Sequence, residues 1–145
     1  MFFEDYKVGM IFDKEIEPIS FTEEEIIEYG KKYDPRPIHI YREAAAKSRF
    51  GKIIAPGSFA NMAFWGQWVK TGIDMDGLVA GAWLDGGQWI KPVYADTLYD
   101  IKVEITEKKV RREGVDGFVT YKMTAYDPEN EPVVIYEATG LVNNK

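Results

Sequence analysis

One segment near the middle of the chain is apolar on almost every side. Residues 57–70 (GSFANMAFWGQWVK) place aromatic and aliphatic side chains around nearly the whole circumference of a helix. A helix with this pattern must be enclosed by protein, because it is shorter than the roughly 20 residues that a membrane span needs. The segment therefore predicts a buried central helix, and the simplest enclosure is a sheet that wraps around it.

The second half of the chain supplies candidate strands for that sheet. Long strands are predicted over residues 78–91, 97–107, 117–126 and 132–142. In the second of these stretches apolar residues alternate with polar ones, and the apolar set is Tyr99, Ile101, Val103 and Ile105. Residues 10–20 predict an opening strand that is interrupted by a proline.

Together these elements predict an α+β fold in one domain over residues 1–145. Five antiparallel strands would curl around one helix at about residues 57–70, which is the arrangement of the hotdog fold. This layout leaves one face of the sheet open, so we expect a second copy of the chain to extend or cover it.

A helix begins near Thr22 with a clear N-terminal signal. Glu25 follows three residues later, which is the spacing of a capping box. Pro35 ends the helix, because the residue before a proline avoids the helical region, and Asp34 therefore lies at the C-terminal edge. We expect the next residues (DPRPIHIY) to be extended and stiff, since two prolines restrict them, and a short helix to follow over residues 42–48.

The composition excludes several classes of protein. The net charge of −6, from 18 basic and 24 acidic residues, argues against binding to nucleic acid. No apolar run is long enough for a membrane helix, and the N-terminal residues (MFFEDYKVGM) lack the pattern of a secretory signal. With one histidine and no cysteine, the chain offers no usual zinc site. We expect a cytoplasmic protein with no metal and no bound redox cofactor.

The only histidine, His39, lies shortly after Asp34 in the proline-restricted segment. An imidazole and a carboxylate held by a stiff backbone form a preorganised acid–base pair. The alternative is that Asp34 only caps a turn before Pro35 and that His39 packs at the edge of the domain.

The segment around this pair resembles a known signature. Residues 33–39 (YDPRPIH) are similar to the hydratase signature of the MaoC-like dehydratase family, which includes the (R)-specific enoyl-CoA hydratases. Residues 54–57 (IAPG) resemble the family's entry to its central helix, and residues 88–98 (QWIKPVYADTL) resemble a later strand–turn–strand. Arg36 differs from the Asn or Gln that is usual in the family. Further differences from the family pattern are Lys32, Tyr33, Pro56 and Ala95.

The resemblance implies an enzyme that adds or removes water at the double bond of a 2-enoyl thioester. Asp34 and His39 would hold the water between them, and either could serve as acid or base. The amide of Gly57, at the start of the central helix, would stabilise the enolate oxygen. Candidate substrate-binding residues are Arg36, Ser58, Phe59, Asn61 and Met62.

The resemblance also implies that the acyl group is carried on coenzyme A or phosphopantetheine. The basic residues that we expect near its phosphates are Arg36, Arg49, Lys52 and Lys91. Arg36 is in addition a hint of an acidic group on the substrate. Trp65 and Trp68 are predicted to pack in the core, and the partner is expected to be a second copy of the chain, as a homodimer or a higher homo-oligomer.

Two other functions remain open from the sequence. One is a hotdog thioesterase, in which a carboxylate would activate water against the thioester carbonyl itself. The other is a non-catalytic protein, either one that binds an acyl thioester or a partner subunit of an enzyme, that has kept the fold and the pocket without turnover.

Overall fold

A computed structural model describes residues Met1–Lys145. Its helices and its long strands lie in separate halves of the chain. The first half carries a 3₁₀ turn, one short strand and all four α-helices, and the second half carries four long strands. The helices are α1 (Glu23–Tyr33), α2 (Pro37–Ile40), α3 (Arg42–Lys47) and α4 (Gly57–Lys70), after a 3₁₀ turn at Phe3–Asp5. The strands are β1 (Ile11–Phe12), β2 (Leu78–Trp89), β3 (Asp100–Arg112), β4 (Asp116–Tyr126) and β5 (Pro132–Asn143).

The five strands form one antiparallel sheet in the order β1-β3-β4-β5-β2. The sheet curls over α4, which confirms the hotdog fold that the sequence predicts. The alternation predicted for β3 is confirmed, since Tyr99, Ile101, Val103 and Ile105 are all buried. The predicted strand bounds agree to within one or two residues, except that β3 begins three residues later and ends five residues later than expected.

The predicted opening strand over residues 10–20 is wrong in length. Only Ile11 and Phe12 pair with β3, and Ile19 later makes a single bridge to Tyr99. Between them Asp13 turns the chain, because its carboxylate accepts a hydrogen bond from the Lys14 amide and its carbonyl accepts one from the Ile16 amide. This local turn competes with the sheet for the same backbone groups.

The central helix α4 packs into the curve of the sheet with one face. Phe64 and Trp68 are completely buried, as predicted for Trp68, and the half-buried Trp65 packs against the rings of Tyr121 and Tyr136. The prediction that α4 is enclosed on every side is wrong for a single chain. Met62 and Val69 are exposed on the opposite face of the helix.

The N-terminal cap of α1 is confirmed. The Glu25 amide donates to the Thr22 hydroxyl at 3.1 Å, and the Thr22 amide donates to the Glu25 carboxylate at 3.2 Å. Glutamates in the first turn and lysines in the last turn match the helix dipole. The cap fixes where α1 begins, and the helix ends at Tyr33 with Asp34 as its C-cap residue.

Strand β2 is an edge strand and is exposed along nearly its whole length. Its exposed side chains include large apolar ones, at Val79, Trp83, Leu84 and Trp89.

None of the helices combines the length and the hydropathy that crossing a membrane would take.

Candidate active site

Asp34 caps the C-terminal end of α1. Its amide donates to the carbonyl oxygen of Gly30 at 2.9 Å, after which the backbone leaves the helical conformation ahead of Pro35. The carboxylate is 18% exposed and lies at the wall of a cleft. The helix end thus places a partly shielded carboxylate where a small molecule can reach it.

His39 lies on a helix that the sequence analysis did not predict. The extended conformation expected after Asp34 is wrong, because Pro37–Ile40 form the single helical turn α2. Pro37 is the first residue of that turn, where no amide hydrogen is required and the fixed φ of proline suits a helix. Gly30 lets α2 approach α1, since a Cβ there would lie 2.8 Å from Ile40 and 3.2 Å from His39.

The imidazole of His39 is held at both nitrogens. Nδ1 lies 2.7 Å from the carbonyl oxygen of Ile54, and Nε2 lies 3.5 Å from Oδ2 of Asp34. A carbonyl oxygen only accepts hydrogen bonds, so Nδ1 must carry a hydrogen in either protonation state. The nitrogen that gains and loses a proton is therefore Nε2, which faces Asp34. His39 itself is only 6% exposed.

Arg36 binds the second oxygen of the carboxylate. Its Nη1 donates to Oδ1 of Asp34 at 2.6 Å, while the Arg36 side chain remains 73% exposed. Asp34 is thus shared between a guanidinium on Oδ1 and an imidazole on Oδ2. Arg36 also lines the cleft beside Asp34, and the side-chain hydrogen bond that the structure gives it is with Asp34.

The pair faces a cleft of about 630 Å³. Its walls come from α2, from the segment before α4, from the first turn of α4 and from the end of β2 with the residues after it. The lining includes Ile38, Phe50, Ile54, Ala55, Ala60, Ile90, Pro92 and Val93 as apolar members. An apolar cleft with a few convergent polar groups is the usual form of a small-molecule site.

Gly57 is the first residue of α4 and lies in this cleft. The preceding residue, Pro56, provides no side-chain cap, so the first amides of α4 have no partner within the helix. The positive end of the helix dipole and a free N–H are therefore directed at the cleft.

Trp89 covers Gly57, and the sequence analysis gave this tryptophan no role. A Cβ on Gly57 would lie 2.7 Å from the indole nitrogen of Trp89 and closer still to two ring carbons. The indole N–H donates to Oδ1 of Asn61 at 3.1 Å, although Trp89 is 60% exposed. The space that the missing side chain of Gly57 leaves is occupied by this ring.

The other predicted substrate-binding residues lie in three different places. Ser58 lines the cleft and its hydroxyl accepts a hydrogen bond from Tyr29 at 2.8 Å. Phe59 packs in an aromatic cluster against Phe21 and Tyr29, away from the cleft. Met62 lines a second cavity farther along α4.

The basic residues predicted near a phosphate differ in whether their charged groups already contact other side chains. Lys91 lines the cleft but is paired with both Asp127 and Glu131. The ammonium of Lys52 lies 4.6 Å from the ring centroid of Tyr94, and Arg49 is exposed beside the cleft residue Phe50.

The comparison with known proteins now identifies the family. A model described as the MaoC like domain matches residues 8–127, most of the chain. The chain belongs to the MaoC-like family. A curated relative of this MaoC-like protein is the uncharacterized protein YdeM of Bacillus subtilis, which is 26% identical over 139 residues and matches over 96% of both chains.

Three solved structures share the fold of this MaoC-like chain. The monoamine oxidase regulatory protein of Archaeoglobus has a TM-score of 0.91 at 24% identity, covering 100% of this chain and 95% of that one. A MaoC-like dehydratase from Rhodospirillum rubrum has a TM-score of 0.89 at 23% identity, covering 100% and 98%. The (R)-hydratase of A. caviae has a TM-score of 0.74 at 17% identity, covering 94% and 97%.

Proposed function

We propose that this MaoC-like protein adds water to a 2-enoyl thioester, or removes it from the 3-hydroxyacyl thioester, with Asp34 and His39 as the acid–base pair. The observation that carries the proposal is the approach of His39 Nε2 to Asp34 Oδ2 at 3.5 Å, at the wall of a cleft with many apolar lining residues. This separation is long for a direct hydrogen bond and allows a reacting water to contact both atoms.

Two contacts behind the pair support a proposal for which residue is the acid and which is the base. Arg36 donates to Oδ1 of Asp34 and leaves Oδ2 as the free acceptor. The Ile54 carbonyl fixes the hydrogen on Nδ1, so Nε2 is the donor of protonated His39. In the hydration direction Asp34 is therefore the base and His39 is the acid.

The reaction then balances without any further group. Asp34 Oδ2 takes a proton from water while the hydroxyl adds to the β-carbon, and His39 Nε2 gives a proton to the α-carbon. Proton transfer from Asp34 to His39 across their contact restores the starting state. Elimination of water runs through the same steps in reverse.

The amide of Gly57 completes the proposed mechanism. When the hydroxyl adds to the β-carbon, negative charge develops on the thioester oxygen. A free backbone N–H at the positive end of α4 is a preorganised donor for that charge. Removing such a donor typically slows a reaction of this kind by about 10²- to 10³-fold.

The thioester would be carried on coenzyme A or on a phosphopantetheine arm. Arg49 and Lys52 lie within two residues of the cleft residue Phe50 and are exposed, which suits contacts with phosphate. Lys91 is less suited, because its ammonium is already bound to Asp127 and Glu131.

The exposed strand β2 further supports a homodimer as part of this proposal. An unpaired edge strand with large apolar side chains is a surface that proteins normally cover. A second copy of the chain that pairs with β2 would cover Trp83 and Leu84. Sedimentation of the wild type as a dimer, and of Leu84→Lys as a monomer, is the expected result.

The test of the proposed activity is direct. The protein is incubated with crotonyl-CoA and with trans-2-hexenoyl-CoA, and loss of the conjugated double bond is followed by ultraviolet absorbance. Asp34→Asn and His39→Gln are each expected to lower kcat/KM by about 10²- to 10⁴-fold. Glu28→Gln, which removes an exposed carboxylate from α1, is the matched control and should retain full activity.

The other possible results separate the alternative functions. Release of free thiol without formation of a 3-hydroxyacyl product would identify a thioesterase. Binding of the acyl thioester without any turnover would favour the non-catalytic alternative. Full activity in Asp34→Asn would remove the acid–base pair from the mechanism.

A further inference from the structure

A second cavity lies along α4, beyond the cleft that holds Asp34 and His39. It measures about 370 Å³ and is largely apolar. Its lining includes Met62, Trp65, Leu78, Trp83, Leu84 and Tyr136. No residue lines both this cavity and the cleft.

The same two elements border both cavities. α4 runs from Gly57 and Ser58 in the cleft to Met62 and Trp65 in the second cavity. β2 runs in the opposite sense, from its last residue in the cleft to its middle in the second cavity. A linear ligand that enters the cleft and follows α4 therefore reaches the second cavity after about one helical turn, or roughly 6 Å.

Trp89 lies across this route. Its ring packs on Gly57, and its N–H bonds to the side chain of Asn61, one turn farther along the helix. The main-chain oxygen of Asn61 accepts a hydrogen bond at 2.8 Å from the hydroxyl of Tyr136, which lines the second cavity. The indole and Asn61 thus lie between the cleft on one side and the second cavity on the other.

We propose that Trp89 is the residue that sets acyl chain length, by closing the cleft off from the second cavity. Short acyl chains end against the indole, and longer chains are excluded from the apolar space behind it. This inference rests on the proposed function, because it assumes that the cleft holds the acyl group of a thioester.

The size of the expected effect follows from the burial of methylene groups. Each methylene that leaves water contributes about 0.8 kcal/mol, which corresponds to about fourfold in affinity or in kcat/KM. Removing the indole opens the second cavity to the carbons that Trp89 excludes. Two or more additional buried methylenes would change the preference for long over short chains by at least about tenfold.

The hydrogen bond to Asn61 is the only polar contact that fixes the indole. β2 shifts register between Asp85 and Gln88, just before Trp89, and Gly86 has a positive φ of 63°. Because the indole has this one polar contact, substitution can separate the bulk of the ring from its hydrogen bond. Trp89→Phe keeps an aromatic ring over Gly57 without the hydrogen bond, whereas Trp89→Ala removes both.

The test compares the wild type, Trp89→Ala and Trp89→Phe on crotonyl-CoA, trans-2-hexenoyl-CoA and trans-2-decenoyl-CoA. In the wild type, kcat/KM is expected to fall with chain length. In Trp89→Ala, the ratio of kcat/KM for decenoyl over crotonyl is expected to rise at least about tenfold. Trp89→Phe should stay near the wild-type ratio. An unchanged ratio in Trp89→Ala, or a wild type that accepts all three chains equally, would overturn the inference.

Binding measurements keep this result separate from the proposed activity. Calorimetric titration with butyryl-CoA and decanoyl-CoA, which have no double bond to hydrate, reports the same chain-length limit without turnover. A preference for butyryl-CoA that Trp89→Ala reverses would support the inference even if no hydration is observed. If neither thioester binds the wild type, the inference and the proposed function both fail. Trp89→Leu replaces Trp89→Ala if the latter does not fold, as judged by circular dichroism.

Discussion

The two ends of α4 share one apolar sequence pattern but have different surroundings. At the C-terminal end Phe64 and Trp68 are completely buried, and the indole of Trp68 donates to Asp74 at 2.9 Å. At the N-terminal end Gly57 is only half-buried and Ser58 is exposed, and both line the cleft. The comparison suggests that the C-terminal end of the helix stabilises the fold, while the N-terminal end is left free for a ligand.

The largest expected effect tests the stabilising end. Trp68→Ala removes a ring with no exposed surface and leaves the buried Asp74 without its donor. We expect the free energy of unfolding to fall by about 3–5 kcal/mol, as for other large buried aromatics. Urea denaturation measures this loss. Trp89→Ala changes a ring that packs near the N-terminal end of the helix. It should lower the free energy of unfolding by at most about 1 kcal/mol, because that ring is exposed. Similar losses in both variants would contradict the conclusion that the C-terminal end of α4 is the one that stabilises the fold.

Gly57→Ala is the next largest expected effect, and it tests the contact with Trp89. The added methyl group meets the indole, and overpacking of this kind costs about 1–3 kcal/mol. If the ring is displaced into the cleft, we expect kcat/KM to fall by about 10- to 100-fold. This is the change in rate that corresponds to an overpacking energy of about 1–3 kcal/mol.

A control on the same helix isolates this contact. Gly66 has no atom within 4 Å of the Cβ that alanine would add, so Gly66→Ala should raise stability by about 0.5–1 kcal/mol through helix propensity alone. The double variant Gly57→Ala/Trp89→Ala should recover the stability lost in Gly57→Ala. Additive effects in this cycle would show that the methyl group acts elsewhere.

A smaller effect is expected opposite the N-terminal end of α4, at Arg36. Arg36→Ala frees Oδ1 of Asp34, so the carboxylate loses one of its two fixed contacts. We expect kcat on crotonyl-CoA to fall about tenfold through loss of orientation. Stability should change by at most about 1 kcal/mol, since the Arg36 side chain is largely exposed.

Arg42→Ala is the matched control for Arg36. Arg42 also pairs with carboxylates, those of Glu23 and Glu24, but it does not line the cleft. It should leave kcat unchanged. Equal efficiency of Arg36→Ala and the wild type would show that Arg36 does not orient Asp34 for a simple enoyl substrate.

The sequence predicted those parts of the structure that depend on local patterns. The alternation in β3 and the capping box at Thr22 depend on neighbouring residues, and both are confirmed. The helical turn at Pro37 was not predicted, because proline was treated as a residue that prevents a helix rather than one that begins it. The opening strand was predicted too long because the turn at Asp13 competes with the strand.

The candidate site shows the same contrast between features set by neighbouring residues and features set by distant ones. The residues around Asp34 and His39 form a recognisable motif, and their closeness in sequence keeps them near each other in space. Trp89 was missed because its partner, Asn61, is 28 residues away and no local pattern links a strand to the first turn of a helix. The same limit explains why α4 was expected to be buried all round, since the sequence gives no sign of which apolar face the sheet leaves uncovered.

The smallest expected effect is a pH dependence at the C-terminal end of α4. Burial raises the pKa of Asp74 above its usual range, even though the hydrogen bond from Trp68 opposes that rise. A carboxyl group with a raised pKa in the folded state binds its proton more tightly there than in the unfolded chain. Its contribution to stability is therefore full below the usual aspartate pKa of about 3.9, and it is lost as the pH rises through the higher folded value.

Asp74→Asn removes this titration and reveals its sign. The free energy of unfolding of Asp74→Asn minus that of the wild type should increase as the pH rises above about 4 and then level off. Asp116→Asn should give the opposite slope, because the hydrogen bond from Arg112 holds the pKa of Asp116 below its usual range, so that its stabilisation is lost as the pH falls. Urea denaturation of the three proteins between about pH 3 and pH 8 measures both slopes. Slopes of the same sign would mean that Asp74 is not held in a desolvated site, and that the C-terminal end of α4 is less tightly packed than its burial indicates.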